Sequence, residues 1–201
     1  MMLELNQLQM YKKMNFIGTY FIEDLSLCDD IINHFNNLPS NKKFEGRIGL
    51  ADSRIDYSKK KSIETIFEWD ENINSISSRY SKELSKCCDQ YIKEYPECDN
   101  KVARWAITEG VKIQYYNAGG GYTSEHCERS ERGNNRHLVF MTYLNDVEDC
   151  GETKFKLQNL KVKAEKGKTV IWPADWTHTH CGIISPTQEK YIVTGWYSFI
   201  E

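Results

Sequence analysis

A histidine and a carboxylate two residues apart are suited to sharing a metal ion, and this chain carries such a pair in His126-Cys127-Glu128. The surrounding residues predict a strand over 122–128. Side chains at i and i+2 of a strand share a face, so the imidazole and the carboxylate project together while Cys127 points away. They make two-thirds of a facial set of two histidines and one carboxylate, which leaves positions open on the metal for other molecules. The third ligand has to come from a distant strand ending beside the first. Trp172-Pro173-Ala174-Asp175-Trp176-Thr177-His178-Thr179-His180 offers His178 and His180, and three of the chain's five histidines fall in these two segments. The plain alternative is that His178 and His180 are partly buried histidines bonded to backbone.

Lys190 is the next residue that invites chemistry. It opens an apolar run containing Tyr191, Ile192, Val193 and Trp196, where an ammonium is costly to bury without an anion. A dicarboxylate reaching inward from the metal would supply one. The turn signal at Ser185-Pro186 predicts a hairpin that sets His180 opposite Lys190. Otherwise Lys190 is a lysine at a strand start that snorkels to solvent.

Positioning such residues needs a rigid frame. Residues 16–23 read as a strand, and Asp24 as the cap of a helix to about Asn37 with Leu25, Leu27, Ile31, Ile32 and Phe35 as its apolar stripe. Residues 38–60 are polar, broken by Pro39 and Gly46, and read as a loop that helps choose the substrate. A second helix fits 72–94 and stops at Pro96. From residue 101 the texture changes to short β-branched and aromatic runs: 111–116, 122–128, 137–144, 153–157, 160–163, 168–172, 178–183 and 189–199. Two helices followed by many short strands predict an α+β, mainly β fold, a jelly-roll barrel with the helices packed on one sheet.

The 201 residues can bury a sizeable core. No repeat or linker divides them, so one domain is expected, with a helical support region at 1–100 and a β core at 101–201. Lys and Arg number 26 against 29 Asp and Glu, a net charge of −3, which argues against nucleic acid or an anionic membrane as the main partner. Seven cysteines without a CxxC pair fit free thiols in a reducing compartment. The amino-terminal stretch lacks a signal-peptide core and no window is apolar enough to span a bilayer, so a cytoplasmic protein is expected.

In their order and spacing, the pieces from Val111 to Phe199 resemble the iron(II)/2-oxoglutarate-dependent oxygenases, specifically the prolyl 4-hydroxylase-like group. They are Tyr116 through His126-Cys127-Glu128, Arg136 through Asn145 with Gly151-Glu152-Thr153-Lys154-Phe155, Gly167-Lys168, and His180 through Trp196. The resemblance implies a double-stranded β-helix with iron on His126, Glu128 and His180. It implies 2-oxoglutarate with its distal carboxylate on Lys190, supported by Tyr143 and with Tyr116 lining the pocket. Thr194 and Trp196, at i+4 and i+6 from Lys190, share its inward face as walls of the site, Trp196 toward the substrate, and Arg136 corresponds to a basic residue near the substrate entrance. It implies a hydroxylase using O2, with ascorbate as reductant, that acts on prolyl residues of a peptide or protein or on a small metabolite. Two departures stand out: Glu128 occupies a position the group usually fills with aspartate, and Cys150 stands where it has the first of two glycines. Glu128 keeps open a second reading, a non-catalytic jelly-roll module that binds a metal or ligand. A zinc or nickel barrel enzyme with the same ligands is a third, in which Lys190 has no role.

Overall fold

The computed structural model describes residues 15–48, 54–70, 72–99, 103–131 and 133–200. The amino-terminal stretch examined for a leader, up to residue 14, lies outside the described residues, as do 49–53 within the expected 38–60 loop.

Its main sheet has eight strands. Seven run in the order β1 (Gly18–Phe21), β11 (Lys168–Pro173), β8 (Arg136–Tyr143), β13 (Lys190–Phe199), β6 (Lys112–Tyr116), β4 (Ile63–Ile66) and β2 (Phe44–Glu45), and β5 (Trp105–Ala106) pairs β13. A smaller sheet, β10 (Leu160–Val162), β9 (Thr153–Phe155) and β12 (His180–Gly182), contributes the other wall of the barrel, and β3 (Lys60–Lys61) pairs β7 (Gly121–Tyr122). All pairings are antiparallel. This is the expected jelly-roll architecture.

The continuous apolar run at 138–141 of β8 follows from the strand's two covered faces. Leu138 and Phe140 join the core under the helices, whereas Val139, Met141 and Tyr143 join the core inside the barrel. The covering helices are α1 (Ser26–Asn37) and α2 (Ile76–Glu94). Along α2, Ser77, Tyr80, Leu84, Cys87, Cys88 and Tyr91 are buried at three- and four-residue spacing, the apolar stripe of an amphipathic helix. Tyr80 also reaches the sheet, its hydroxyl 2.9 Å from Thr142 Oγ1.

Helix starts differ from expectation. Residues 72–74 do not begin α2, because Asp70 and Asn72 each accept a backbone N–H two residues on, a turn that competes with helix. Ile73 is left outside, and Ser75 is the cap, accepting from the Ser78 amide. Asp24 does not cap α1; its carboxylate takes Ser26 and Arg79 instead. The 38–60 loop carries β2 and the start of β3, and β4 was not foreseen. All seven cysteines are free thiols. Among the described residues no helix is long and apolar enough to cross a membrane.

Two further corrections shape the site. The expected strand 122–128 ends at Tyr122, and beyond it only His126 forms a bridge, to His180. The expected hairpin between His180 and Lys190 does not form: His180 pairs with Phe155 in the small sheet, Lys190 with Tyr116 in the large one. The two residues face each other across the barrel instead of along a ladder.

Candidate metal centre

His126 is placed by the chain leaving β7, held by reciprocal backbone bonds to His180 of 2.9 and 3.0 Å. Tyr122 stacks on its ring at 3.9 Å. His180, at the start of β12, rests against Trp172 and Phe155 with ring separations of 5.0 and 5.6 Å. Nδ1–H of His126 donates to the Ser124 carbonyl at 2.8 Å, and Nδ1–H of His180 to the His178 carbonyl at 2.9 Å. A carbonyl only accepts, so both rings are oriented with Nε2 as the free ligand atom.

Glu128 completes the cluster. Its Oε1 lies 3.3 Å from His126 Nε2 and 3.6 Å from His180 Nε2. Ligands at right angles, each about 2.1 Å from one ion, sit about 3.0 Å apart, so these separations fit a divalent cation bound on one face. The other oxygen, Oε2, accepts from Trp196 Nε1 at 3.0 Å and from Arg136 at 3.4 Å. Burial alone would raise the Glu128 carboxyl, but the two imidazoles hold it well below its usual range. With each Nδ1–H already committed, that contact requires positive charge between the three atoms, as added protons or as one metal ion. The methylene that distinguishes glutamate from aspartate is absorbed by the Trp196 and Arg136 contacts.

His178, the other candidate, is not part of the cluster. Its Nε2 lies 2.9 Å from the Asn15 carbonyl and its Nδ1 2.9 Å from the Thr177 hydroxyl, which leaves no ring nitrogen free.

The three ligands open into a cavity of about 680 Å³, which Lys190, Tyr116, Thr194, Trp196 and Arg136 also line. Lys190 is buried, donates to the Gly151 carbonyl at 2.8 Å and stands 5.2 Å from the Tyr116 ring. Burial lowers its ammonium to about 8, with Glu152 opposing. Lys190 therefore does not snorkel. Tyr116 gives its hydroxyl to Gln114 at 2.6 Å, and Thr194 gives its own to the Phe140 carbonyl.

Tyr143 departs from expectation. It is fully buried behind Thr153, its hydroxyl 2.6 Å from Thr153 Oγ1, and Thr153 is the residue that lines the cavity. Arg136 lines the cavity with its guanidinium engaged: Glu109 takes it at 2.7 and 2.5 Å, Glu128 takes another edge, and its plane lies 3.7 Å over Trp196. The register between β8 and β13 shifts at Tyr197/Ser198, a bulge of the kind that re-aims side chains beside sites.

Sequence reasoning missed Thr153, Met141 and Ile192 on the inner wall. Ile192 was recoverable, since it lies at i+2 from Lys190 and so on the same face.

Residues 111–198 match the family model described as 2OG-Fe(II) oxygenase superfamily. No curated protein matches the chain. Similar folds occur in a viral collagen prolyl hydroxylase of Paramecium Bursaria Chlorella virus-1, solved as a 2OG complex, with TM-score 0.65, 18% identity and coverage of 92% of this chain and 97% of that one. A prolyl hydroxylase of Trichoplax adhaerens, in complex with a hypoxia inducible factor peptide fragment, gives TM-score 0.69, 20% identity and coverage of 96% and 86%. A Pseudomonas putida prolyl-4-hydroxylase gives 0.66, 13%, 90% and 92%.

Proposed function

We propose, from the premise that the barrel at residues 111–198 belongs to the 2OG-Fe(II) oxygenase superfamily, that this protein is an iron(II)- and 2-oxoglutarate-dependent hydroxylase of prolyl residues in a peptide or protein. The observation that carries the reading is the convergence of His126, Glu128, His180 and Lys190 on one cavity. When bound, iron and 2-oxoglutarate supply the oxidation: with O2 they yield succinate, carbon dioxide and one oxygen atom inserted into a substrate C–H bond.

The chain's own residues bind and orient. The three ligands occupy one face of the ion and leave the other open. Lys190, raised on the facing sheet, offers a desolvated ammonium to the distal carboxylate of 2-oxoglutarate, with Thr153 beside it and Tyr143 holding Thr153 from behind. Trp196 and Arg136 fix the Glu128 carboxylate and so act as positioning residues. Residues 1–201 act as one oxygenase unit in which the helices stiffen the sheet that carries Lys190.

Two of the structural neighbours support a prolyl substrate: one is a collagen prolyl hydroxylase and another holds a hypoxia inducible factor peptide. Incubation with iron(II), 2-oxoglutarate, ascorbate and proline-containing peptides should give succinate and peptides heavier by one oxygen atom. A protein that binds manganese(II) but neither binds nor consumes 2-oxoglutarate would be the non-catalytic module instead.

A further inference from the structure

The chain is acidic overall, yet among the described residues its cavity is walled by seven cations and one acid, Glu128. Four of those cations are engaged deep in the wall. Lys60 and Lys112 pair with the buried Glu64 at 2.5 and 3.3 Å. Arg136 is taken by Glu109 and Glu128, and Lys190 faces the cofactor under the reading above. Arg54 and Lys59 line the mouth of the cavity on the segment between β2 and β3, as does Arg47. Asp56 stands beside this row, 4.0 Å from Lys59, and its carboxylate is held low by Ser58 and then by Lys59 and Arg54. It does not line the cavity. Arg54 and Lys59 therefore present positive charge to the mouth, with Asp56 set back from the lining.

This basic rim is fixed to the metal corner. Ile48 and Arg54 exchange both backbone bonds, at 2.9 and 3.0 Å. The Thr123 amide donates to the Lys59 carbonyl at 2.8 Å, and β3 pairs with β7. The Lys60 ammonium lies 4.8 Å from the Tyr122 ring, which stacks on His126 at 3.9 Å. The basic segment therefore starts beside the metal corner, which its buried neighbour Lys60 reaches through Tyr122. A cavity of about 680 Å³ also leaves space beside a small dicarboxylate for a second, larger guest.

We propose that the protein selects an acidic peptide, a proline with a nearby Asp or Glu whose carboxylate rests on Arg54 and Lys59. The inference rests on the hydroxylase reading for the proline and on the rim alone for the acid. Cations at a cavity mouth favour an anionic guest and repel a cationic one, so they act on choice of partner as well as on affinity.

The test reads binding without turnover. Protein loaded with manganese(II) and 2-oxoglutarate is titrated into fluorescent proline peptides flanked by Glu, by Gln or by Lys, and anisotropy is followed. The Glu peptide should bind at least about tenfold tighter than its Gln isostere at low salt, with the advantage shrinking as salt rises. The double variant Arg54→Glu, Lys59→Glu, both exposed positions, should lose that advantage and favour the Lys peptide, with folding checked by circular dichroism.

Equal binding of Glu and Gln peptides, or an acidic preference that survives the double variant, would overturn the proposal. So would tighter binding of a single-stranded oligonucleotide, or competition by free N-acetylglutamate where no peptide binds. Acidic-peptide binding by a protein that never consumes 2-oxoglutarate would support the rim and defeat the hydroxylase reading, so the two failures are distinguishable.

Discussion

Two carboxylates lie beside the same cavity, Glu128 in its lining and Glu64 behind the lining residues Lys60 and Lys112, and their surroundings separate a structural acid from a ligand. Glu64, fully buried, has both oxygens engaged: Oε1 by Lys60 and the Ser62 hydroxyl, Oε2 by Lys112. Burial pushes its carboxyl up, and the two ammonium groups hold it below the usual value. Gly46 lies so close that a Cβ there would meet Ser62 Oγ and Glu64 Oε1 at 2.1 and 2.8 Å, so the corner is closed by backbone. Glu128 has one oxygen satisfied and the other aimed at two imidazole nitrogens whose lone pairs are free. A buried acid with permanent cations around it needs nothing more, whereas three converging acceptors need a cation from outside.

The largest effect expected from breaking this contrast is at the ligands. His126→Ala, Glu128→Ala and His180→Ala should each abolish manganese(II) binding and 2-oxoglutarate consumption, while His178→Ala keeps metal binding. Urea unfolding of the metal-free ligand variants should shift little, because removing one of three facing acceptors relieves crowding.

Glu64→Gln should do the reverse. It leaves the Lys60 ammonium buried against an amide, and removing one partner of a buried ion pair costs about 3–5 kcal/mol. Urea unfolding should show that loss, with manganese(II) affinity retained. A variant as stable as the parent would mean that water reaches Lys60.

Lys190→Ala should weaken 2-oxoglutarate by about 2–5 kcal/mol, or roughly 30- to several-thousand-fold, without weakening the metal. Its pH dependence has two opposite signs. The folded ammonium titrates near 8 against 10.5 for an ordinary lysine, so between these values the unfolded chain holds more protons and raising pH stabilises the ligand-free protein. Affinity for 2-oxoglutarate runs the other way, falling up to tenfold per unit above about 8 as the ammonium is lost. Calorimetry in buffers of different ionisation enthalpy would show proton uptake on binding in that window.

What was legible in the sequence follows the same division. Periodicity exposed β8, β13 and both helices, since their faces are buried against fixed partners. The metal ligands were legible because i and i+2 spacing survives even where the strand at 122–128 does not. Illegible were the residues whose role depends on contacts distant in sequence. Arg136 lines the cavity as expected of a residue near its entrance, but its contacts with Glu109, Glu128 and Trp196 could not be read from the chain. Tyr143, expected to touch the cofactor, bonds Thr153 instead. The His180 to Lys190 hairpin is absent because both strands pair elsewhere, Lys190–Phe199 along β6 and β8 and His180–Gly182 along β9. Cys150 adopts φ 64°, a left-handed conformation that costs a glycine nothing, so the departure from glycine is a strained one.

The smallest effect tests how a glutamate is made to serve where aspartate is usual. Its extra rotor lets Oε1 swing away from the histidines unless Oε2 is held, and the contact that holds it at normal hydrogen-bond length is Trp196 Nε1 at 3.0 Å. Trp196→Phe keeps a ring under the Arg136 guanidinium, 3.7 Å away in the parent, but removes the N–H. A hydrogen bond to a charged group contributes about 1.5–3 kcal/mol, and losing a partner that orients a ligand weakens metal binding about 10- to 100-fold. Manganese(II) affinity should drop by that amount while 2-oxoglutarate affinity at saturating metal changes far less, because Lys190 is untouched. Glu128→Asp should not rescue the parent affinity, since the shorter side chain gives up Trp196 to reach the same ion. Parental manganese(II) affinity in Trp196→Phe would assign the positioning to Arg136 alone, and Arg136→Gln would then have to carry the loss.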